Sequence, residues 1–525
     1  MAIEHPEALA AWVLYLIAMV IIGYWAAKQM KTTEDYTVAG RKANAFLVAL
    51  SHGAGAMSGF MFLGLPGYAY TQGLYAFWYE AGDAGGGYVN FTLLGRRLRT
   101  LAAYLKAISP IDFLAKRYND PSSTASKYIP LVGGLIGAIF MWQYLLAQVV
   151  AAGKVAQVLM GIPYTYGVLV GGIIVLIYVA AGGLLACMLT DAIQGSIMFL
   201  GAVIGLIVGF DLVGGFSGLT NSLMSIDPTI FSVWGTGLQF QGQYGEIIGA
   251  LLIYMIGYMG LPHIVAFHMS ARSVREITKS ILINPIWASV FAYACVFIGL
   301  FGVILLPSLS DPELTAPTFF YEFVNPWIAG ALIAAVYAAI MSTADTLSLN
   351  SASTLVNDVY AKYINPSVDD KKRLLYNRIA TLSLGGLALL VALIPGLSVF
   401  FVVVSAFGTL ASAFMFPNLA AVYWKRATPA GVLASMIGGA FTNAFWEILG
   451  LRAFTHLHPF FAGIIVSGAL LVIVSLLTKP MPEDKQKLVD ISKDYFFELR
   501  LDKIVTKSSS SETKIIAKNL SAILS

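Results

Sequence analysis

Charged residues and cysteines are both scarce in this chain, and each scarcity excludes a class of protein. Lys, Arg, Asp and Glu make up 11% of the 525 residues, whereas 58% are hydrophobic and the mean hydropathy is +0.77. This composition excludes a soluble globular protein. Because the apolar segments are long continuous runs, the sequence predicts an all-α integral membrane protein that spans a lipid bilayer.

Other missing features narrow the function. The two cysteines, Cys187 and Cys295, both fall in apolar spans and indicate neither a disulfide framework nor a zinc site. No basic segment precedes the first span, as a cleavable signal peptide would require. The pair Gly53-x-Gly55 lacks the preceding strand and the spacing of a nucleotide-binding loop. We expect no enzyme activity, no organic cofactor, no nucleic acid partner and no obligate protein partner.

Thirteen apolar segments are long enough to be membrane spans, and the loops between them alternate in charge. The predicted spans lie near 9–28, 45–71, 74–95, 128–155, 164–184, 187–211, 246–269, 280–306, 327–360, 375–395, 398–424, 429–450 and 459–478. Basic residues cluster in every second loop, whereas the alternate loops hold only Arg452, apart from Lys154 at a helix end. The positive-inside rule then predicts a multi-pass protein of the cell membrane with its N-terminus outside and its C-terminus in the cytoplasm. Residues 1–478 form the transmembrane domain, and 479–525 are predicted to be a solvated cytoplasmic tail.

Two spans are interrupted by glycine, proline and polar residues. The second contains the run from Ser51 to Gly59, followed by Gly64-Leu65-Pro66-Gly67, and the seventh contains the run from Gly257 to His263. Such interruptions expose backbone carbonyls and helix ends to a ligand, so they point to the binding site of a transporter. Counted from the second of the thirteen spans, the interrupted spans are the first and sixth of ten consecutive spans. We therefore predict two inverted five-helix repeats, near 45–211 and 246–424. The spans 9–28, 429–450 and 459–478 would be additional helices.

One stretch of the ninth span presents oxygen atoms to its neighbours. On a helix, Ala339, Ser342, Thr343 and Thr346 follow the spacing i, i+3, i+4, i+7 and form one stripe, with Asp345 at its edge. Hydroxyl and carboxylate oxygens inside a membrane are ligands that suit a hard cation. The alternative is that the hydroxyls bond back to helical carbonyls and the small residues ease helix packing.

Carboxylates and aromatic rings also occur near the interruptions. Four acidic residues fall inside spans, namely Glu80, Asp83, Asp191 and Asp345. Each needs a partner, a bound cation or a proton, although Asp191 can instead be an N-terminal helix residue with no other role. Aromatic residues near the interruptions can enclose a small organic solute, and these are Phe60, Tyr144, Tyr254 and Tyr258.

These motifs together resemble the sodium/solute symporter family, and the resemblance extends to about residue 480. It rests on the run Ala54 to Gly59 with Gly64 to Gly67, on Tyr178 to Ala186 followed by Thr190-Asp191-x-x-Gln194, on Gly260 to Ile264 and on Ala339 to Thr343. The resemblance implies a LeuT-like core of two inverted five-helix repeats, with discontinuous first and sixth core helices, in a protein of about 13 transmembrane helices. It also implies sodium-coupled symport of a small organic solute, with one or two Na⁺ co-transported.

The resemblance further implies particular site residues. One sodium ion would be held by the carbonyls of Ala54, Met57 and Ala339 and by the hydroxyls of Ser342 and Thr343. A second site, found in some members, would use Asp191, Ser342, Asp345 and Thr346. The solute pocket would involve Phe60, Tyr144, Tyr254, Tyr258 and Pro262.

The identity of the solute differs between branches of this family. Proline or a related amino acid is the leading prediction. This chain departs from the proline branch, which has an aspartate at the position of Ala56, tryptophans at those of Phe60 and Tyr254, and an apolar residue at that of Asp83. Segments such as Gly161-Ile162-Pro163-Tyr164 are equally similar to the pantothenate branch. Pantothenate, a monocarboxylate and a proton-coupled carrier of the same fold are therefore the alternatives.

Overall fold

The computed structural model describes residues 5–27, 33–179, 183–235 and 238–494. The basic residues Lys28 and Lys31, positions 180–182 of the Tyr178–Ala186 motif and the tail beyond 494 lie outside these ranges. The described part consists of helices, and its isolated β-bridge joins Ala43 to Ala271.

A helix lies at each of the thirteen predicted spans. Two of them are interrupted, and their two halves are given the letters a and b. The helices are α1 (Pro6–Ala27), α2a (Ala45–Ala56) and α2b (Gly64–Gln72), α3 (Phe77–Val89), α4 (Thr124–Met160), α5 (Tyr164–Val179), α6 (Leu184–Val213), α7a (Tyr244–Gly257) and α7b (Pro262–Ser270), α8 (Val274–Leu305), α9 (Pro326–Ser353), α10 (Asp370–Ala392), α11 (Val399–Tyr423), α12 (Pro429–Ile448) and α13 (Pro459–Leu477).

Length and apolar composition identify the helices that can cross a membrane. Within the described residues, eight helices meet this criterion alone, and two bent pairs meet it together. The bends are 59° between α2a and the helices after it, and 51° between α7a and α7b. Both bends fall at the glycine-rich interruptions, because glycine and proline weaken the helical hydrogen-bond ladder there. The prediction of two discontinuous helices is confirmed.

The helix packing is consistent with two related halves. Helix α4 of the first predicted repeat packs against α11 of the second. The corresponding contact, with the repeats exchanged, joins α9 of the second repeat to α6 of the first. Similarly, α3 packs against α7a, and α8 packs against both halves of α2. Helix α9 lies at the centre, with every residue from Leu332 to Ser353 buried. The repeat boundaries themselves stay a prediction.

The start of the tail differs from the prediction of a solvated segment. A short helix, Glu483–Ile491, follows α13, and its Leu488 and Val489 are buried. The Ser492 hydroxyl donates a hydrogen bond to the Val422 carbonyl at the end of α11 (3.0 Å). Apolar side chains at these positions explain the packing, since they bury against the bundle while the charged residues around them face outward.

Candidate ion and solute sites

The interruption of α2 begins where backbone N–H groups donate to side chains instead of to the helical carbonyls. Met57 and Ser58 leave the helical conformation, and the Ser58 side chain accepts a hydrogen bond from the Phe60 N–H (3.1 Å). The Gly59 N–H, which would otherwise donate to the Gly55 carbonyl, donates to the Gln148 side chain of α4 (3.0 Å). The last carbonyls of α2a are therefore available to other partners.

Two hydroxyls of α9 meet these carbonyls. Ser342 Oγ donates to the Ala54 carbonyl (2.9 Å) and lies 3.2 Å from the Ala339 carbonyl. Thr343 Oγ1 lies 3.2 Å from the Ala54 carbonyl and 3.3 Å from that of Gly55. Both hydroxyl residues are fully buried. This cluster of oxygens between α2a and α9 has the chemistry that a hard monovalent cation requires.

The cluster contains most of the residues that the sequence predicts as ligands. Ala54, Ala339, Ser342 and Thr343 are joined by direct contacts. Met57 lies at the end of α2a, where its own N–H donates to the Gly53 carbonyl (2.8 Å). The Gly55 carbonyl was not predicted, although its position beside Ala54 in the interrupted run was a usable signal.

The second predicted cation site lies further along α9. Asp345 is 5% exposed and accepts a hydrogen bond from Thr346 Oγ1 (3.1 Å), which also lies 3.2 Å from the Ser342 carbonyl. Asp191 of α6 interacts electrostatically with Asp345, and neither of its carboxylate oxygens has a hydrogen-bond partner among the described residues. Two carboxylates and a hydroxyl are thus brought together between α6 and α9.

The interpretation of Asp191 as a helix-capping residue is wrong. The residue before α6 is Gly183, and Asp191 lies two turns inside the helix, where it is fully buried. A buried carboxylate away from a helix end gains little from the helix dipole. Its position beside Asp345 requires another explanation.

The predicted solute-binding tyrosines and phenylalanine surround the two interruptions. Tyr144 of α4 has its hydroxyl 3.1 Å from the Ala56 carbonyl and 3.2 Å from Ser58 Oγ, at the broken end of α2a. The Tyr254 ring lies 5.8 Å from Phe60 and 6.2 Å from Tyr258 between centroids. All four residues are buried. Pro262 is the first residue of α7b, so it lies at the interruption of the same helix that carries Tyr258.

Three residues at this site were not predicted. Phe407 of α11 packs edge-on against Tyr254 (4.7 Å) and Tyr258 (5.3 Å). Asp83 of α3 accepts a hydrogen bond from the Tyr258 hydroxyl (2.5 Å). Phe400 of α11 contacts Phe60 (5.3 Å) and stacks on Tyr68 (4.0 Å). Nothing in the sequence indicates these pairings, because they depend on how α3, α7a and α11 pack.

A cavity of about 480 Å³ ends at Phe400. It is lined by the ends of α2b and α4, by the loop residues Ser310 to Glu313, and by the start of α11. Glu313 accepts hydrogen bonds from the backbone N–H groups of Val399 and Phe400 (both 2.9 Å) and forms an ion pair with Lys154 (2.7 Å). The Phe400 ring therefore lies between the cavity and the aromatic residues of the predicted solute pocket.

No metal cluster of another type accompanies these sites in the described residues. No group of three or more His, Cys, Asp and Glu side chains there is arranged to hold a metal ion. His52 Nε2 lies 2.9 Å from the Asn90 amide, whereas His263 and His268 are buried against aromatic rings.

The chain is similar in sequence to known transporters over most of its length. A family model for the sodium:solute symporter family matches residues 36–439. The osmoregulated proline transporter OpuE of Bacillus subtilis (strain 168) is 33% identical over 471 residues, which cover 89% of this chain and 94% of that protein. The sodium/proline symporter of Staphylococcus aureus (strain JH9) is 30% identical over 501 residues, with 92% and 95% covered.

Solved structures share the fold at lower identity. A Na⁺-coupled sialic acid symporter in a substrate-bound outward-open state matches with a TM-score of 0.71 at 20% identity, covering 91% of this chain and 99% of that one. Mhp1, a nucleobase-cation-symport-1 family transporter, matches with a TM-score of 0.52 at 15% identity, covering 87% and 98%. The predicted LeuT-like transporter fold is confirmed. On the family match and the two relatives together, the chain belongs to the sodium:solute symporter family of membrane transporters.

Proposed function

We propose that this protein is a sodium-coupled symporter of the cell membrane that imports proline or a closely related amino acid. Two relatives with at least 30% identity over about nine-tenths of the chain are named as proline transporters. The sodium gradient would drive uptake with about 2.3 kcal/mol per charge for each 100 mV, in addition to the concentration term.

The contact between α9 and the broken end of α2a carries this proposal. Ser342 and Thr343 bring two hydroxyls to the carbonyls of Ala54 and Gly55, inside an otherwise apolar bundle. The hydroxyls donate hydrogen bonds to these carbonyls. A sodium ion would be coordinated by the same carbonyl and hydroxyl oxygens, with the hydroxyl protons turned away from it and with Ala339 and Met57 supplying further carbonyls.

A second sodium ion would lie between Asp191 and Asp345. Two carboxylates that share a buried space repel each other unless a cation or a proton lies between them. Thr346 and Ser342 would complete this site, which places it next to the first ion on the same face of α9. Movement of two ions per solute follows from this arrangement.

The solute would bind where the two interrupted helices meet. Tyr144, Tyr254, Tyr258 and Phe60 would enclose the apolar ring of proline, and Pro262, which has no backbone N–H of its own, would lie beside it at the start of α7b. The Tyr144 hydroxyl contacts the end of α2a, which also carries the sodium-site carbonyls. Solute and ion would therefore be coupled through α2a.

Uptake by the purified protein in proteoliposomes tests this function. Labelled proline should accumulate under an inward sodium gradient, and it should not accumulate under an equal potassium gradient at the same membrane potential and pH. Competition by a panel of amino acids, pantothenate and short monocarboxylates then defines the solute. Selective competition by pantothenate or a monocarboxylate would reject proline, and uptake that follows a pH gradient without sodium would reject sodium coupling.

A further inference from the structure

Helix α3 carries two buried carboxylates that none of the sites above explains. Glu80 is fully buried and Asp83 is 3% exposed, one helical turn apart. Neither forms an ion pair with a lysine or arginine of the described residues. Both oxygens of Glu80 lack a hydrogen-bond partner in this part of the chain. Negative charge at this place thus has no positive partner among the residues that the structure describes.

Asp83 is the member of this pair that reaches the predicted solute pocket. It accepts a short hydrogen bond from Tyr258 (2.5 Å), and it interacts electrostatically with Tyr144 and Tyr254. The Tyr254 hydroxyl is buried, interacts with both carboxylates, and has no hydrogen-bond partner among the described residues. One phenol therefore donates to the Asp83 carboxylate, and the neighbouring Tyr254, whose ring centroid lies 6.2 Å from that of Tyr258, has an unpartnered hydroxyl among the described residues.

A carboxylate in such surroundings favours a positively charged ligand. Transfer of an ionised carboxylate into an apolar environment is costly unless it is paired, and phenols compensate only part of that cost. The two predicted sodium sites lie at α9, whereas Asp83 is on α3 beside the solute-binding tyrosines. A proton or a charged group of the solute can neutralise Asp83, and the position of Asp83 beside the solute-binding tyrosines favours the solute.

We propose that Asp83 binds the positively charged nitrogen of the transported solute. A secondary ammonium group such as that of proline would donate a charge-assisted hydrogen bond to the carboxylate, while Tyr258 would hold the carboxylate in place. This inference rests on the proposed function, because it places the solute among the same tyrosines. It adds a selectivity rule, namely that solutes of similar shape without a positively charged nitrogen bind weakly.

A pair of ligands that differ in this charge tests the rule. Proline and tetrahydrofuran-2-carboxylate have similar rings and the same carboxylate, but oxygen replaces the charged nitrogen in the second compound. We expect Asp83→Asn at saturating sodium to bind proline about 10- to 100-fold more weakly than the parent does. The affinity for tetrahydrofuran-2-carboxylate should change by less than about 3-fold, because that ligand lacks the charged donor.

Two further variants separate binding from positioning. Tyr258→Phe keeps the Asp83 carboxylate but removes the hydrogen bond that holds it, so it should weaken proline by a smaller factor than Asp83→Asn does and leave the affinity for tetrahydrofuran-2-carboxylate nearly unchanged. Asp83→Glu keeps the charge and should retain part of the preference for proline. Sodium-dependent thermal stabilisation of each purified variant shows that it is folded.

The inference and the proposed function fail in different ways. Three results for Asp83→Asn would each overturn the proposed role of Asp83. These are equal losses of affinity for both ligands, an unchanged affinity for proline, and an altered sodium dependence without an altered ligand preference. If the parent protein does not transport proline, the proposed function fails instead. The solute found by the uptake panel then replaces proline in the test, and a solute without a positively charged nitrogen also overturns the inference.

Discussion

At the scale of single residues, the hydroxyls of Ser342 and Thr343 connect α9 to the end of α2a. Ser342→Ala or Thr343→Ala removes an oxygen ligand while leaving a helix-forming residue. We expect the sodium concentration for half-maximal uptake to rise about 5- to 150-fold, which corresponds to about 1–3 kcal/mol. Sodium titration of proline uptake measures this change.

Ser348→Ala is the matched control for these variants. Ser348 is also a buried serine of α9, but its hydroxyl donates to the Ala344 carbonyl of the same helix (2.6 Å). Its removal should leave the sodium titration unchanged. Normal sodium dependence in both Ser342→Ala and Thr343→Ala would show that the cation site is elsewhere.

Tyr144 should contribute to solute binding through its hydroxyl as well as its ring. Tyr144→Phe removes the contacts with the Ala56 carbonyl and Ser58, and we expect solute affinity at saturating sodium to fall by about 1 kcal/mol, or roughly 5-fold. Competition binding measures the change. Tyr337→Phe removes a buried phenol that donates to the Ala152 carbonyl (2.9 Å) and to neither interruption, and it should not alter solute affinity. Equal effects of the two variants would indicate a general loss of packing.

Asp345 should determine how many sodium ions are transported with each solute molecule. Asp345→Asn removes one of the two charges that the second ion would neutralise, so the Hill coefficient for sodium should fall toward one. Asp211→Asn, at an exposed position of α6, is the control and should not change it. The measurement is sodium stoichiometry at several pH values. A variant that keeps the parental stoichiometry and pH profile would give Asp345 a structural role, and a parent whose uptake follows pH without sodium would indicate a proton at this place.

At the scale of helices, neighbouring helices hold each interruption from outside. Gln148 of α4 accepts from the Gly59 N–H in the α2 interruption, and Asn418 of α11 donates to the Met259 carbonyl in that of α7 (2.8 Å). A Cβ atom at Gly260 would lie 2.6 Å from the Ala411 Cα, so the backbones of α7 and α11 approach closely there. Rotation of α4 or α11 would therefore move the carbonyls at the interruptions.

An ion-pair network joins the π-helical segment Thr354–Ile364, which continues α9, to the helix Pro110–Arg117. Lys362 forms ion pairs with Asp112 (3.0 Å) and with the buried Asp358 (3.1 Å), and Ser109 donates to Asp358 (2.8 Å). Lys362→Gln leaves the buried Asp358 without an ion pair and Asp112 with Lys116 alone, so we expect a clear fall in the thermal unfolding temperature. Lys372→Gln, in an exposed pair with Asp369, should change the free energy of unfolding by less than about 1 kcal/mol. Equal effects would show that the network is not stabilising.

The contribution of Asp112 to this network should not depend on pH near neutrality. Burial would raise the pKa of Asp112, but ion pairs with Lys362 and Lys116 and a hydrogen bond from the Ile108 N–H hold that pKa below its usual value. A carboxylate with a lowered pKa stabilises the folded protein above the unfolded-state pKa of about 3.9, and this stabilisation is lost only as pH falls through the folded pKa. The difference in the free energy of unfolding between Asp112→Asn and the parent should therefore be constant from about pH 5 to 8.

At the scale of the whole molecule, the predicted orientation has a direct test. The alternating charge of the loops predicts that Arg452 faces outward and that Lys425 faces the cytoplasm. Both native cysteines are buried, so a cysteine introduced at either loop can be labelled separately. In intact cells, a membrane-impermeant maleimide should label Arg452→Cys and should label Lys425→Cys only after the cells are opened. The reverse pattern would invert the topology.

The sequence by itself determined the features that depend on neighbouring residues. Thirteen apolar spans, two interrupted helices and the hydroxyl stripe of α9 are all local patterns, because hydropathy, glycine content and helical spacing are properties of one segment. The predicted ligands meet in the structure because the hydroxyl stripe of α9 faces the interruption of α2. These ligands are Ala54, Ala339, Ser342 and Thr343.

Only the tertiary structure decided which segments meet. Three contacts are between residues that are distant in sequence. They are Thr343 with the Gly55 carbonyl, Tyr258 with Asp83, and Phe400 with Phe60. The same holds for Asp191, which the sequence allowed as a helix cap and the packing of α6 on α9 placed beside Asp345. Spacing along a helix fixes which face a residue occupies, but the neighbour of that face is set by the packing of the other helices, and no single segment contains that information.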